Sequence, residues 1–176
     1  PDWRKESTPI SPSGRSGHGM AYDSDRNRLV LFGGYRGNFL NDTWEWDGSR
    51  WLRIQPKVSP PPRNLPHMVY DSVRKKCIFF GGHDNRKKLT ADTWEYDGKT
   101  WLQRKPPSSP PARAFHAMAF DASRGRTVLF GDDNTGTTWE WDGSTWTSIK
   151  VATSPSARSS PGMTYDSARR RVVLFG

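Results

Sequence analysis

The 176 residues are enough for one domain with a real core, and nine Trp, eight Phe and five Tyr supply its apolar bodies. Few Leu and Ile, together with a strongly negative mean hydropathy, argue against long amphipathic helices and against any membrane span. Twenty-seven Lys and Arg against eighteen Asp and Glu leave a net charge of +9, which favours anionic partners and solubility but says nothing about fold.

Read from the N-terminus, Trp3 keeps the register of a repeat's closing residue and is expected to be the tail of a preceding unit, and no stretch resembles a signal peptide. A first element, RSGHGMAYD from Arg15, returns as RNLPHMVYD from Arg63, RAFHAMAFD from Arg113 and RSSPGMTYD from Arg158. These starts lie 48, 50 and 45 residues apart, and Met20, Met68, Met118 and Met163 share one register. Within it Met20 and Tyr22 alternate with the small Gly19 and Ala21, the period-two pattern of a strand that lets a neighbouring sheet approach closely.

A second, apolar element follows as LVLFGG from Leu29, CIFFGG from Cys77, TVLFGD from Thr127 and VVLFG from Val172, apolar on both faces as a strand between sheets must be. Its single cysteine, Cys77, is expected to be a small buried hydrophobe and leaves the redox compartment open. A third element, DTWEWDG from Asp42, DTWEYDG from Asp92 and TTWEWDG from Thr137, ends in an Asp-Gly hairpin signal before a closing Trp51, Trp101 or Trp146. From closing Trp to the next repeat Arg the spacing is always twelve, across Pro-rich connectors that prevent strand continuation. All length variation falls between the second and third elements, at residues 35–41, 83–91 and 133–136, as surface loops tolerate.

Four short antiparallel strands repeated about every 50 residues predict an all-β propeller segment. The double glycine, the aromatic third strand and the closing Trp resemble kelch repeats in the form common in bacterial proteins, similar also to the central domain of galactose oxidase. The expected blades are 15–62, 63–112 and 113–157, with 1–14 a remnant and linker and 158–176 the first half of a fourth. Three copies should form an open arc rather than a ring closed by one chain, so the remainder of a longer chain, or further copies in a homo-oligomer, would complete it.

The repeated aromatics and methionines read as inter-blade packing, and all four Met are expected to be buried. Glu45, Glu95 and Glu140 invite a glycosidase idea, but equivalent residues of successive blades are dispersed by rotation; pairing with a repeat arginine such as Arg63 or Arg113 is the expectation. The run from Asp142 to Trp146 is a turn with a packed Trp rather than a sialidase Asp-box, being too short. His18, His67, His83 and His116 match no metal-ligand spacing, no nucleophile stands beside a base, and neither catalytic residues, cofactor nor metal are expected. The basic turns at Arg26 and Arg28, Arg74 to Lys76, Arg124 and Arg126, and Arg169 to Arg171 read as a solvated edge, partly offset by Asp23, Asp71, Asp121 and Asp166.

The resemblance implies a pocket on the opposite rim, where kelch propellers that bind proteins commonly form one. There Arg15, Arg63, Arg113 and Arg158 join Arg36, His83, Arg86, Lys87 and Lys88 as candidate partner-binding residues; the four repeat arginines could equally be structural. The function expected is a non-catalytic scaffold that recognises a protein or acidic peptide. The rivals are part of a propeller enzyme of galactose-oxidase or sialidase type with its site completed elsewhere, and a binder of polyanions, nucleic acid or acidic polysaccharide.

Overall fold

The computed structural model describes residues 2 and 6–176, so the expectation about Trp3 lies outside the described residues. Fourteen strands form three four-stranded antiparallel sheets and one two-stranded sheet, each running in sequence order from inner to outer strand. The first sheet comprises β1 (Gly19–Asp23), β2 (Arg28–Phe32), β3 (Thr43–Trp46) and β4 (Trp51–Ile54). The second comprises β5 (His67–Asp71), β6 (Lys76–Phe80), β7 (Thr93–Tyr96) and β8 (Trp101–Arg104). The third comprises β9 (Ala117–Asp121), β10 (Arg126–Phe130), β11 (Thr138–Trp141) and β12 (Trp146–Ile149); a separate two-stranded half-sheet comprises β13 (Gly162–Asp166) and β14 (Arg171–Phe175).

Inner strands pack in the order β1, β5, β9, β13, which arranges the sheets as consecutive propeller blades in an open arc. In the three full blades the second strand is sealed on both faces: Val30, Phe32, Cys77, Ile78, Phe79, Phe80 and Leu129 are all buried, whereas β14 of the half-blade is largely exposed. Phe32, Phe79 and Trp101 stack at centroid distances of 5.0–5.3 Å between the first two blades. Phe80 meets Trp146 at 5.4 Å between the second and third.

The closing tryptophans also form polar staples. Trp101 Nε1 donates to Thr43 Oγ1 of the preceding blade at 2.9 Å, and Trp146 Nε1 repeats this with Thr93 at 2.9 Å. Both Trp side chains are 1 % exposed, so each bond satisfies a donor that has no access to water. Trp51 is only partly buried, having no preceding blade among the described residues to cover it.

The methionine expectation needs correction for the same reason. Met68 and Met118 are buried because each lies against the blade before it, Met68 over Gly19 of β1. Met20 is 46 % exposed because the face it points to carries no described neighbour, and Met163, in the half-blade, is half-buried. Gly19 and Ala21 point the other way and are buried, as the alternation predicts.

Candidate functional site

Two rims bound the arc, and their charges are organised differently. On the rim of the β1–β2 turns and the Asp-Gly hairpins, one basic residue of each turn is engaged by a neighbouring acid. Arg26 binds Asp23 at 2.6 Å and Glu45 at 2.8 Å; Arg124 binds Asp121 at 2.7 Å and Glu140 at 2.6 Å. Arg74 binds Asp71 at 2.7 Å and Arg169 binds Asp166 at 2.8 Å. Burial works against the Arg26 charge, but the bonds to Glu45 and Asp23 raise its pKa above the ordinary value. Arg26 also lies against the hairpin turn of the next blade: a Cβ on Gly98 would meet its guanidinium at 2.6 Å.

These contacts correct the expected glutamate partners. Glu45 is held by Arg26 and by the Tyr96 hydroxyl of the next blade at 3.0 Å; Glu95 by Lys76 at 3.0 Å and Arg104 at 3.4 Å; Glu140 by Arg124. The repeat arginines lie at the other rim and cannot reach them. Their acid is the residue that opens the third strand. Arg15 is bidentate to Asp42 at 2.5 and 2.9 Å, and Arg63 donates to Asp92 at 2.7 Å and to the Thr90 hydroxyl. The same carboxylates accept Trp44 Nε1 at 2.6 Å and Trp94 Nε1 at 2.7 Å. Burial opposes ionisation of Asp42, yet the bonds from Arg15 and Trp44 hold its pKa below the usual carboxylate value.

The third blade has Thr137 in place of that aspartate. Arg113, fully buried, turns to Asp133 at 3.2 Å and to the Gly131 carbonyl at 2.8 Å, while Trp139 Nε1 is left without a partner. Arg158 donates to the Gly176 carbonyl at 2.6 Å and to Ser156. Side-chain exposures of 3 %, 2 % and 0 % for Arg15, Arg63 and Arg113 leave these three no surface for a partner.

The double glycine, read from sequence only as a marker, proves to be the clamp between blades. The amide of its second residue donates to the carbonyl of the next repeat arginine at 2.8 Å in all three copies: Gly34 to Arg63, Gly82 to Arg113 and Asp132 to Arg158. A Cβ at Gly82 would come within 2.6 Å of the Asn64 carbonyl, and φ there is 98°. Asp132 adopts φ 56° at the same place, with its carboxylate accepting the Ala114 amide at 3.1 Å.

What remains open on this rim is the pair of variable loops of the first two blades. Tyr35 and His83, each next after the double glycine, are fixed by reciprocal backbone bonds: Tyr35 with Ser16 at 2.8 and 3.1 Å, His83 with Asn64 at 2.7 and 3.0 Å. Between them lies a cavity of about 310 Å³ lined by Tyr35, Phe39, Asn64, Leu65, His83, Lys87 and Phe115. Of the candidate residues, His83 and Lys87 line it; Arg36, Arg86 and Lys88 are exposed on the same two loops without an ion-pair partner among the described residues. The aromatic lining was missed in the sequence, although Tyr35, Phe39 and Phe115 break the repeat register and so stand out from the packing aromatics.

A second hollow of about 240 Å³ shares Leu65 and Phe115 and continues toward the inner strands past His18, His67 and His116. His67 and His116 face each other at 6.0 Å between ring centroids. Burial lowers the His67 pKa to about 4 and also holds that of His116, where both ring nitrogens lack partners, well below the ordinary value. Among the described residues no three His, Cys, Asp or Glu side chains gather as a metal ion would require, and no helix is long and apolar enough to cross a membrane.

Sequential four-stranded blades, clamped by double glycines and stapled by closing tryptophans, define a kelch-type β-propeller segment. The chain matches the KLHDC2/KLHL20/DRC7 Kelch-repeats domain over residues 2–176 and belongs to that family. Domains of this kind are typically non-catalytic scaffolds that bind other proteins. No curated protein matches the chain.

Proposed function

We propose that the protein is a non-catalytic scaffold that recognises a partner protein through the variable loops of its first two blades, residues 35–41 and 83–91. One observation carries this reading. Arg36, Arg86, Lys87 and Lys88 stand exposed on these two loops with no ion-pair partner among the described residues, and Lys87 lines the cavity between them, whereas on the opposite rim Arg26, Arg74, Lys76, Arg124 and Arg169 are paired with Asp23, Asp71, Asp121, Asp166 and the three glutamates. Unpaired surface cations raise the local concentration of an acidic partner; paired ones contribute little field.

The same contrast weighs against polyanion binding on the turns, and the engagement of Glu45, Glu95 and Glu140 by cations weighs against a glycosidase pair. The test is a photo-crosslinking amino acid at Arg36 or Lys88, compared with one at Arg28 or Arg170 on the opposite rim, in the whole chain expressed in cells. Protein adducts from the first pair alone are expected. Equal yields from both rims, or nucleic-acid adducts from the second, would contradict the proposal.

A further inference from the structure

We infer that the seam between the second and third blades carries an acid-sensitive latch: the unprotonated Nδ1 of His67 holds the inner strand β5 to the inner strand β9, and a proton on that nitrogen releases it. The inference stands apart from how the rim loops are used.

The latch is one hydrogen bond in a place where the other blades have none. The Met118 amide of β9 donates to His67 Nδ1 of β5 at 3.2 Å, from one blade to the one before it. The position of His67 is filled by Gly19 in the first blade, Ala117 in the third and Gly162 in the half-blade, and none of these offers a side-chain acceptor. An imidazole nitrogen accepts only without its proton, so the neutral ring with its hydrogen on Nε2 is the form that closes the seam. Protonation sets two N–H groups against each other. Met118 is 1 % exposed, so its amide finds water in exchange only if the strands part.

The surroundings hold nothing to absorb the new charge. His67 shares a hollow of about 240 Å³ with His18 and His116, and the ring centroid of His116 stands 6.0 Å from its own. From the first blade comes His18, near an Arg15 that is held by Asp42. From β6 comes the uncharged Phe80, opposite His67 in register and edge-on to His116. The segment entering β9 brings His116 and an Arg113 paired with Asp133, while Asp132 is turned to the amides of Ala114 and Phe115. The second loop brings His83 against Phe115, and the half-blade brings Ser160 and Pro161. No carboxylate lines the hollow among the described residues, and burial alone delays protonation of His67 to a pH of about 4.

The two sides of the seam are anchored in opposite directions. Leu65, two residues before His67, donates its amide to the Gly17 carbonyl of the first blade at 2.6 Å. Phe115, three before Met118, accepts the Ser160 amide of the half-blade at 2.7 Å. Release of the latch therefore leaves Leu65 with the first blade and lets Phe115 move with the half-blade. Both residues also line the cavity between the first two loops, so acid should widen that cavity whether or not it holds a partner.

The experiment follows backbone amides and histidine rings of the whole chain by NMR from pH 7.5 to pH of about 3.5, a span that crosses the His67 transition. The protection factor of the Met118 amide should fall by about tenfold or more as the His67 ring protonates, while amides of β2 and β6 stay protected. His67→Asn puts an acceptor that cannot titrate near the place of Nδ1, and should keep Met118 protected over the whole span. His67→Ala should show a weakly protected Met118 already at pH 7.5, with the Phe115 ring shifted. A Met118 amide that stays protected after the His67 ring has protonated would overturn the inference. So would an unchanged transition in His67→Asn, or a loss at Met118 that coincides with that of β6, which would make the event global unfolding. If His67→Asn proves unstable at pH 7.5, the order of ring and amide titration in the parent decides by itself.

Discussion

The residue after the double glycine is Tyr35 in the first blade, His83 in the second and Asp133 in the third, and the three positions serve two purposes. Tyr35 and His83 face the cavity, while Asp133 turns inward to the buried Arg113. The cause lies four residues further on. The first two blades open their third strand with Asp42 or Asp92, which holds both the repeat arginine and an indole; the third opens with Thr137, which leaves both unserved. Its loop supplies the missing carboxylate for the arginine, and Trp139 Nε1 goes unpaired. One substitution in the framework thus draws a variable loop into the framework, and the proposed recognition falls to the loops of the first two blades.

The sharpest way to break this comparison is Asp92→Ala. It strands a buried Arg63 and the Trp94 indole together, which should cost about 3–5 kcal/mol and lower Tm by roughly 10 °C in thermal unfolding. Asp133→Ala should cost less, about 2 kcal/mol, because Arg113 keeps the Gly131 and Pro111 carbonyls. Thr137→Asp in that background should restore most of the loss, by returning to the third blade the arrangement of the second. A failure of rescue would mean that Thr137 and Asp133 are not exchanging one role.

Stability should also fall as pH is lowered through the histidine range. The folded pKa of His67, about 4, and that of His116 lie below the ordinary value near 6.5, so the unfolded chain takes up protons first. Their contribution is full above pH of about 6.5 and declines toward pH of about 4. His116→Leu should leave Tm at pH 7.5 unchanged or higher, since neither ring nitrogen is bonded, and should flatten the acid decline. Smaller is Thr43→Val, which removes the acceptor of Trp101 Nε1 and should cost about 1 kcal/mol. Thr138→Val, at the same place in the third blade where no described closing Trp arrives, should stay within about 0.5 kcal/mol.

The fold was legible because the repeat displays it: a register kept by four methionines and three closing tryptophans cannot arise without a recurring structural unit. Burial of Met20 was not legible, because a residue's neighbour across the blade interface belongs to another copy of the repeat. The arginine partners were obscured for a related reason. Arg15 and Asp42 are 27 residues apart in sequence and 2.5 Å apart in space, and only the strand order shows that Glu45, three residues later, belongs to the opposite rim. The aromatic cavity combines residues from three blades, Tyr35, His83 and Phe115, which no spacing within one repeat could join.

The central claim is that the first two loops recognise while the third supports the framework. The most direct measurement compares the affinity of a crosslinked partner protein for two variants, Arg86→Glu with Lys88→Glu, and Asn134→Glu with Thr135→Glu, with Tm recorded for each. A loss of about tenfold or more for the first at unchanged Tm, against unchanged affinity for the second, is the result predicted. Equal losses, or a loss confined to the third loop, would contradict it.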